Sequence, residues 1–170
     1  IGGAVQTGFM FAHTHGYDLI CRLDGDGQHD PAQFAKLMQP ILAGDADVCI
    51  GSRYLTAEGF RASQSRVVGI KLFAWLVSLL TGQSFTDTTS GFQAVNGTAA
   101  AFLARHLPTD YPEIEGLVLL CRSGFRVREV PVTMQPRRAG HSSITPLRSI
   151  YYVLKVTLAI LMNTVRKLPT

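Results

Sequence analysis

The sequence has few charged residues and no closely spaced cysteines. Charged side chains make up 16% of the 170 residues, whereas about 25% is usual in soluble domains. This deficit excludes a disordered chain and a coiled coil. The three cysteines, Cys21, Cys49 and Cys121, form no CxxC motif. A zinc site is therefore not expected, and the thiols are predicted to be small buried apolar side chains.

The sequence also lacks long basic runs and long apolar runs. No more than two Lys or Arg residues are adjacent, and no basic segment is interleaved with aromatics as in a single-strand nucleic-acid surface. Nucleic acid is therefore not an expected partner. The formal charge of +4 favours a membrane surface or a phosphorylated small molecule. No apolar stretch reaches the roughly 18 residues of a membrane-spanning helix.

Short apolar runs alternate with helical patterns, which predicts an α/β domain. Strands are expected at residues 17–23, 48–53, 92–95 and 125–134, and Pro131 predicts that the last lies at a sheet edge. A loop is expected at 56–62. Helices are expected at 4–15, after the Asp30 cap, at 65–80, after Asn96 and from Pro112 to a Gly124 cap. The helix at 65–80 is expected to bury Val68, Leu72, Trp75, Leu76 and Leu79.

Residues 147–170 form a segment of a different kind, and two interpretations of it remain open. The segment is apolar around most of a helical circumference, and its only charges are four basic residues. It is either a core helix packed on the sheet or a helix at a bilayer interface, with Tyr151 and Tyr152 at headgroup depth. The chain is therefore divided into 1–146 and 147–170.

The most informative segment is LDGDGQHDP, residues 23–31, in which Asp24 and Asp26 follow the first predicted strand. Ligands of open α/β sheets bind at the carboxyl ends of strands. Residues two apart in an extended chain project to the same side, so both carboxylates can reach one cation, and oxygen ligands suit Mg²⁺ or Mn²⁺. A simple turn or a phospho-acceptor aspartate remains an alternative. An EF-hand calcium loop is excluded, because His29 and Ala35 stand where that loop needs Gly and Glu.

Three further polar segments could contribute to the same site. GSRY at 51–54, followed by Arg66, supplies guanidinium groups that suit phosphate oxygens. TDTTSGF at 86–92 places Asp87 in a turn of small residues before a strand. QPRRAGHSS at 135–143, with Arg138 and Ser142, is a basic, hydroxyl-rich loop suited to folding over an anion. Each also has an ordinary interpretation as a surface charge, a turn or a surface loop.

The ordered set LDGDGQHDP, GSRY, TDTTSGF, YPEIE, REVPV and RRAGHSS resembles glycosyltransferase family 2, in the polyprenyl-phosphate branch related to dolichyl-phosphate mannose synthase. The resemblance covers essentially the whole chain. It implies a nucleotide-diphospho-sugar transferase fold of the GT-A type, a Rossmann-like mixed sheet flanked by helices. Family members carry further strands upstream, so the resemblance also implies that this chain is N-terminally truncated.

The resemblance implies roles on the donor side of the site. Asp24 and Asp26 would bind the metal, Mg²⁺ or Mn²⁺, on the donor pyrophosphate, with Gln28 as a further ligand, and Asp24 would also bind substrate. Asp87 matches the carboxylate beside the sugar. Glu115 lies in the region that lines the sugar or acceptor pocket. An alcohol acceptor would need Asp87 or Glu115 as general base, whereas a phosphate acceptor is already an anion and needs no strong base.

The acceptor side follows from the same resemblance. Arg53 and Arg66 match positions that grip phosphates near the acceptor, and Arg138, with Ser142 nearby, matches a residue that closes on the site. The synthases carry a serine where this chain has Ile70, so recognition of the lipid phosphate is expected to differ.

The implied reaction is metal-dependent, inverting transfer of a sugar from a nucleoside diphosphate sugar. The acceptor would be a polyprenyl phosphate, or another lipid phosphate or glycan, at the cytoplasmic face of a membrane, as in cell wall biogenesis. The alternative is a non-catalytic remnant that binds a diphosphate or a protein partner. An incomplete sheet edge would also favour self-association into a homo-oligomer.

Overall fold

Four short strands form one mixed sheet in the computed structural model. The structure describes residues 2–55, 64–108, 112–135 and 155–158, and for residues 64–66 it describes the backbone alone. The strands are β1 (Leu19–Arg22), β2 (Val48–Ser52), β3 (Gln93–Asn96) and β4 (Val127–Pro131), in the spatial order β1-β3-β2-β4. β3 is antiparallel to β1 and β2, whereas β2 and β4 are parallel. β1, β2 and β4 therefore all end at the same edge of the sheet. The α/β class expected from the sequence is confirmed.

The described residues form five helices of two turns or more, and side chains predicted from the sequence cap one of them and the 3₁₀ turn that precedes another. The helices are α1 (Gly2–Thr14), α2 (Phe34–Leu42), α3 (Gln64–Thr81), α4 (Gly97–His106) and α5 (Pro112–Arg122), and a single 3₁₀ turn, Pro31–Gln33, precedes α2. Asp30 accepts a hydrogen bond from the Ala32 amide at 2.9 Å, and Asn96 accepts one from the Ala99 amide at 2.8 Å. Gly124 follows α5 with φ near +84°, a conformation that glycine adopts without strain.

Apolar side chains cover both faces of the sheet. Successive residues of a strand point to opposite faces, so Val48 and Ile50 enter the larger core cluster with helices α1, α3, α4 and α5. Cys49, between them, enters the smaller cluster with Leu37 of α2. Every residue of β2 is consequently buried. The molecule thus has helices on both sides of a central sheet.

The three cysteines are free thiols, as expected. Burial raises the pKa of Cys49 to about 11 and that of Cys121 to about 12. Burial also raises the pKa of Cys21. All three are therefore neutral near pH 7 and contribute as apolar side chains.

Two strands are shorter than the sequence suggested. Tyr17 and Leu23 lie outside β1 and are 56% and 38% exposed, and β3 pairs only with Leu19–Arg22. β4 likewise covers Val127–Pro131 rather than 125–134. Within the described residues β4 pairs with β2 alone, which confirms the edge position predicted from Pro131.

The predicted buried face of α3 is wrong at four of its five residues, whereas the fifth, Leu76, is partly buried against the larger core cluster. Val68, Trp75 and Leu79 are each more than 60% exposed, and Leu72 is 42% exposed. Among the residues of α3 whose side chains the structure describes, the buried ones are Ile70, Phe73, Ala74 and Val77. Both faces of this helix are apolar, so periodicity could not distinguish them. Contact with α5 and the larger core cluster selects the face that contains Phe73 and Val77.

Part of the C-terminal segment contacts the core. In the helical turn at 155–158, Val156 is fully buried in the larger cluster, whereas Leu158 is 59% exposed. The remainder of 147–170 and the expected loop at 56–62 lie outside the described residues, so the interfacial interpretation stays a prediction. In the part of the chain that the structure describes, no helix has both the length and the apolar character needed to cross a bilayer.

Candidate active site

The sheet edge at which β1, β2 and β4 end brings three of the polar motifs together. Asp24 lies two residues after β1, Arg53 follows β2 directly, and the segment 86–91, here called the TSG turn, leads into β3. The sequence motif that contains Arg138 and Ser142 begins at Gln135, the last described residue after β4. This edge is where open α/β sheets bind their ligands.

Hydrogen bonds fix the loop that carries the two aspartates. The Asp24 amide donates to Nδ1 of His29 at 3.1 Å, and Oδ1 of Asp26 accepts from the Gln28 amide at 3.1 Å. The Gln28 carbonyl accepts from the Gln135 amide at 2.9 Å, and the Gln28 side-chain amide donates to the Gln135 carbonyl at 3.4 Å. The loop is therefore held to the chain that follows β4.

His29 supports this loop as a neutral imidazole. It is 5% exposed and stacks on Phe92, with ring centroids 4.9 Å apart. Burial lowers the pKa of His29, although the carboxylates of Asp24 and Asp26 act in the opposite direction. Since Nδ1 accepts the Asp24 amide, the hydrogen-bond geometry assigns the ring proton to Nε2.

The Asp24 carboxylate lies directly against the TSG turn. A Cβ atom added to Gly91 would be 2.5 Å from Oδ1 and 2.8 Å from Oδ2 of Asp24, so only glycine allows this approach. Arg22, at the end of β1, donates from Nε to the Gly91 carbonyl at 3.1 Å and from Nη2 to Glu113 at 2.8 Å. Arg22 thereby joins the turn to the first turn of α5.

The donor set of this loop fits a divalent cation. Asp24 is exposed and Asp26 half-buried, and both offer oxygen ligands, as does the side-chain amide of Gln28. Within the described ranges, no group of three or more His, Cys, Asp or Glu side chains could enclose a metal. A cation here would therefore need water or substrate oxygens to complete its coordination, as Mg²⁺ commonly does.

Arg53 and Asp87 form a buried ion pair beside the aspartate loop. The guanidinium donates from Nε to Oδ2 at 2.5 Å and from Nη2 to Oδ1 at 2.6 Å, and the Arg53 backbone amide donates to Oδ2 at 3.2 Å. The Arg53 side chain is 5% exposed and that of Asp87 is fully buried. Burial lowers the pKa of Arg53, but the hydrogen bonds and charge of Asp87 outweigh it and leave the pKa raised.

Glu129 of β4 holds the beginning of the TSG turn. Its carboxylate accepts hydrogen bonds from the amides of Thr86 and Asp87 and from the Thr86 hydroxyl. The same hydroxyl lies 2.6 Å from Oγ of Ser52. Burial raises the pKa of Glu129, and the hydrogen bonds from Asp87 and Thr86 act in the opposite direction.

The structure places five of the predicted site residues at this edge: Asp24, Asp26, Gln28, Arg53 and Asp87. Glu115 is buried in the first turn of α5, the helix that the Arg22–Glu113 pair joins to the TSG turn. The Arg66 side chain, Arg138 and Ser142 lie outside the described residues.

Sequence reasoning missed Arg22, His29 and Glu129. Arg22 and Glu129 have partners on other segments, which spacing along the chain does not reveal. His29 accepts from the Asp24 amide of its own loop, and its residue type gave no sign of this contact. The alternation of side chains along a strand did give a signal for Glu129. Glu129 is two residues from buried Val127, so both side chains lie on the same face of β4. A charged residue on an inward face calls for a partner.

Comparisons with known proteins identify the family of this chain. Residues 1–100 match the family described as Glycosyl transferase family 2. A UDP-N-acetylglucosamine--dolichyl-phosphate N-acetylglucosaminyltransferase of Methanococcus voltae is 31% identical over 78% of this chain and 54% of its own length. An undecaprenyl-phosphate mannosyltransferase of Micrococcus luteus is 30% identical over 85% of this chain and 60% of its own length. A polyprenol monophosphomannose synthase of Mycolicibacterium smegmatis is 29% identical over 85% of this chain and 56% of its own length. The chain thus spans about half the length of the curated relatives it matches.

Proposed function

Because the chain belongs to glycosyltransferase family 2, we propose that it forms part of an enzyme that transfers a sugar from a nucleoside diphosphate sugar to a polyprenyl phosphate. One observation carries the proposal: the aspartate loop, the Arg53–Asp87 pair and the TSG turn meet at the edge where β1, β2 and β4 end. The names of the relatives support the acceptor class, since they refer to dolichyl phosphate, undecaprenyl phosphate and a polyprenol.

The donor diphosphate is assigned to the aspartate loop. Asp24 and Asp26 would hold Mg²⁺ or Mn²⁺ together with Gln28, and the metal would neutralise charge on the departing diphosphate. Gly91 keeps the Asp24 carboxylate against the TSG turn, and His29 holds the Asp24 amide. The Gln28 amide donates to Oδ1 of Asp26, and together these contacts hold the aspartate loop in place before a donor arrives.

The Arg53–Asp87 pair is assigned to the phosphate side of the reaction. Asp87 is fully buried and its carboxylate accepts hydrogen bonds from Arg53 and from the Thr89 hydroxyl. A carboxylate held in this way is better suited to orienting a guanidinium than to accepting a proton from substrate. We assign Asp87 to orienting Arg53, which contributes positive charge near the acceptor phosphate.

A phosphate acceptor is compatible with this assignment, because it attacks as an anion and needs no strong general base. Glu115, buried at the start of α5, would line the sugar or acceptor pocket. Arg66, Arg138 and Ser142 are proposed to complete the phosphate-binding groups. Single displacement by the acceptor would invert the anomeric carbon.

The acceptor also determines where the protein would act. A polyprenyl phosphate is a membrane lipid, so we propose that the protein works at the cytoplasmic face of a membrane. Val156 faces the core, and the basic and apolar residues of 147–170 on the opposite side would contact an anionic lipid surface.

The proposal is tested with the protein expressed from its complete natural coding sequence. Purified protein is incubated with Mn²⁺, a polyprenyl phosphate and a panel of radiolabelled nucleoside diphosphate sugars, and labelled lipid is extracted and counted. Asp26→Ala is expected to lower the transfer rate by roughly 100-fold or more. Asp45→Asn is the matched control, because Asp45 is an exposed carboxylate that pairs only weakly, at 3.4 Å, with Arg128.

The outcomes separate the proposal from its alternative. Transfer by the wild type and by Asp45→Asn, with little by Asp26→Ala, supports the enzyme. Diphosphate binding without transfer from any donor would instead support a non-catalytic remnant. Equal transfer by Asp26→Ala and the wild type would remove Asp26 from the metal site.

A further inference from the structure

Glu129 is a charged residue at the candidate site to which the proposed function gives no role. It lies on β4 opposite Ile50 of β2, on the same face of the strand as Val127, which belongs to the larger core cluster. Its side chain therefore points toward the protein interior rather than toward solvent. From there it reaches the first two residues of the TSG turn.

Both oxygens of the Glu129 carboxylate are used. Oε1 accepts from the Asp87 amide at 2.7 Å and from the Thr86 amide at 3.0 Å. Oε2 accepts from the Thr86 amide and the Thr86 hydroxyl, each at 2.8 Å. Two consecutive backbone amides are thus fixed by one side chain from a different strand.

These backbone contacts are made to a residue of the Arg53–Asp87 pair. The amide that Glu129 fixes belongs to Asp87 itself, whose carboxylate receives the guanidinium and the backbone amide of Arg53. We propose that Glu129 is a positioning residue, which fixes the Thr86–Asp87 backbone so that Asp87 holds Arg53 in one orientation at the sheet edge. Its consequence for sugar transfer rests on the function proposed above, whereas the orientation of Arg53 does not.

The chemistry of the position favours this role over simple stabilisation. A half-buried carboxylate next to another carboxylate is unfavourable, and burial raises the pKa of Glu129 accordingly. An apolar side chain would fill the same space without that desolvation cost. A carboxylate offers instead two acceptor atoms, which is what two adjacent amides and a hydroxyl require.

Glu129→Gln tests the proposal with little change in shape. The new NH₂ group would face the Thr86 amide or the Asp87 amide, placing two donors together and loosening the turn. The readout is the Nε–H signal of Arg53 in nitrogen-15 NMR spectra, assigned by its loss in Arg53→Lys. We expect this signal to shift or broaden in Glu129→Gln and to be unchanged in Asp45→Asn.

Glu129→Gln should affect the rate of sugar transfer and the binding of the donor differently. The transfer rate kcat is expected to fall roughly tenfold or more in Glu129→Gln. Binding of a nucleoside diphosphate with Mn²⁺ should remain close to wild type, because the hydrogen bonds that Glu129 accepts come from Thr86 and Asp87 and not from the aspartate loop. A general loss of folding would reduce both quantities together.

The NMR measurement tests the role of Glu129 independently of sugar transfer. If the wild type transfers no sugar, the enzyme assignment fails while the Arg53 signal still decides the role of Glu129. If Glu129→Gln does not fold, amide exchange in the wild type decides it. Slow exchange at Thr86 and Asp87, comparable to β2, supports the proposal. Exchange as fast as at exposed loop positions, or an unchanged Arg53 signal in folded Glu129→Gln, overturns it.

Discussion

Removing the Asp87 carboxylate should destabilise the protein far more than removing a surface carboxylate. In Asp87→Ala the Arg53 side chain, which is 5% exposed, would lose the carboxylate that accepts from both Nε and Nη2. The positive charge would stay in a site from which water is largely excluded. The cost therefore comes from a buried charge whose counter-ion has been removed.

The magnitude follows from comparing buried and exposed pairs. Breaking a buried ion pair by removing one partner costs about 3–5 kcal/mol. Asp45→Ala changes net charge equally but breaks a pair in which both side chains are 56% exposed, so it should cost less than about 1 kcal/mol. The double variant Arg53→Met/Asp87→Leu removes both charges and should recover much of the loss.

Urea unfolding followed by circular dichroism measures these free energies. Full-length wild type, Asp87→Ala, Asp45→Ala and the double variant are compared at pH 7 with their m-values checked for constancy. A loss below about 1 kcal/mol in Asp87→Ala, or a loss no larger than in Asp45→Ala, would refute the argument that the pair is buried and strongly coupled.

Two further predictions concern Asp24 and Asp47. Gly91→Ala should weaken Mn²⁺ binding in the presence of a nucleoside diphosphate by roughly tenfold or more, because the new Cβ would lie 2.5 Å from Oδ1 of Asp24. Calorimetry checks this against Gly69→Ala, where a Cβ meets nothing within 4 Å, and equal affinities would contradict it. Hydrogen bonds from Arg126 lower the pKa of Asp47 from its ordinary value near 3.8. The ionised carboxylate therefore stabilises the fold fully at pH values above 3.8, and this stabilisation disappears as the pH falls through the lower pKa of the folded state. Asp47→Asn should lower Tm by about 2–4 °C at pH 7, and the difference from wild type should vanish in strong acid. A difference that persists there would exclude the ion pair as its cause.

The sequence was most informative where local chemistry decides the structure. Asp30 and Asn96 cap helices as their residue type predicts. The motifs that contain Asp24 and Arg53 follow apolar strands, and parallel strands end at a common edge. The approximate site could therefore be located before any contact was known.

Helix α3 shows where periodicity fails. Apolar residues occur on both of its faces, so a pattern of apolar positions cannot determine which face the rest of the protein covers. The choice depends on the position of α5, which contacts α3 and is distant from it in sequence. Val68 and Trp75 consequently lie on the exposed side.

The buried polar network was also beyond the sequence pattern. Arg53 meets Asp87 across 34 residues, and Glu129 meets Thr86 across 43. Such pairs depend on strand order, because β2 lies between β3 and β4. The motifs indicated that Arg53 and Asp87 belong to one site, but not that their side chains form a buried ion pair.

The TSG turn has a consequence for how a ligand would bind. Arg22 of β1, Arg53 directly after β2 and Glu129 of β4 each form a hydrogen bond with it, so shifting the turn would break contacts to three parts of the sheet at once. A ligand that binds beside this turn would find it preorganised, and little entropy would be lost in ordering the turn on association.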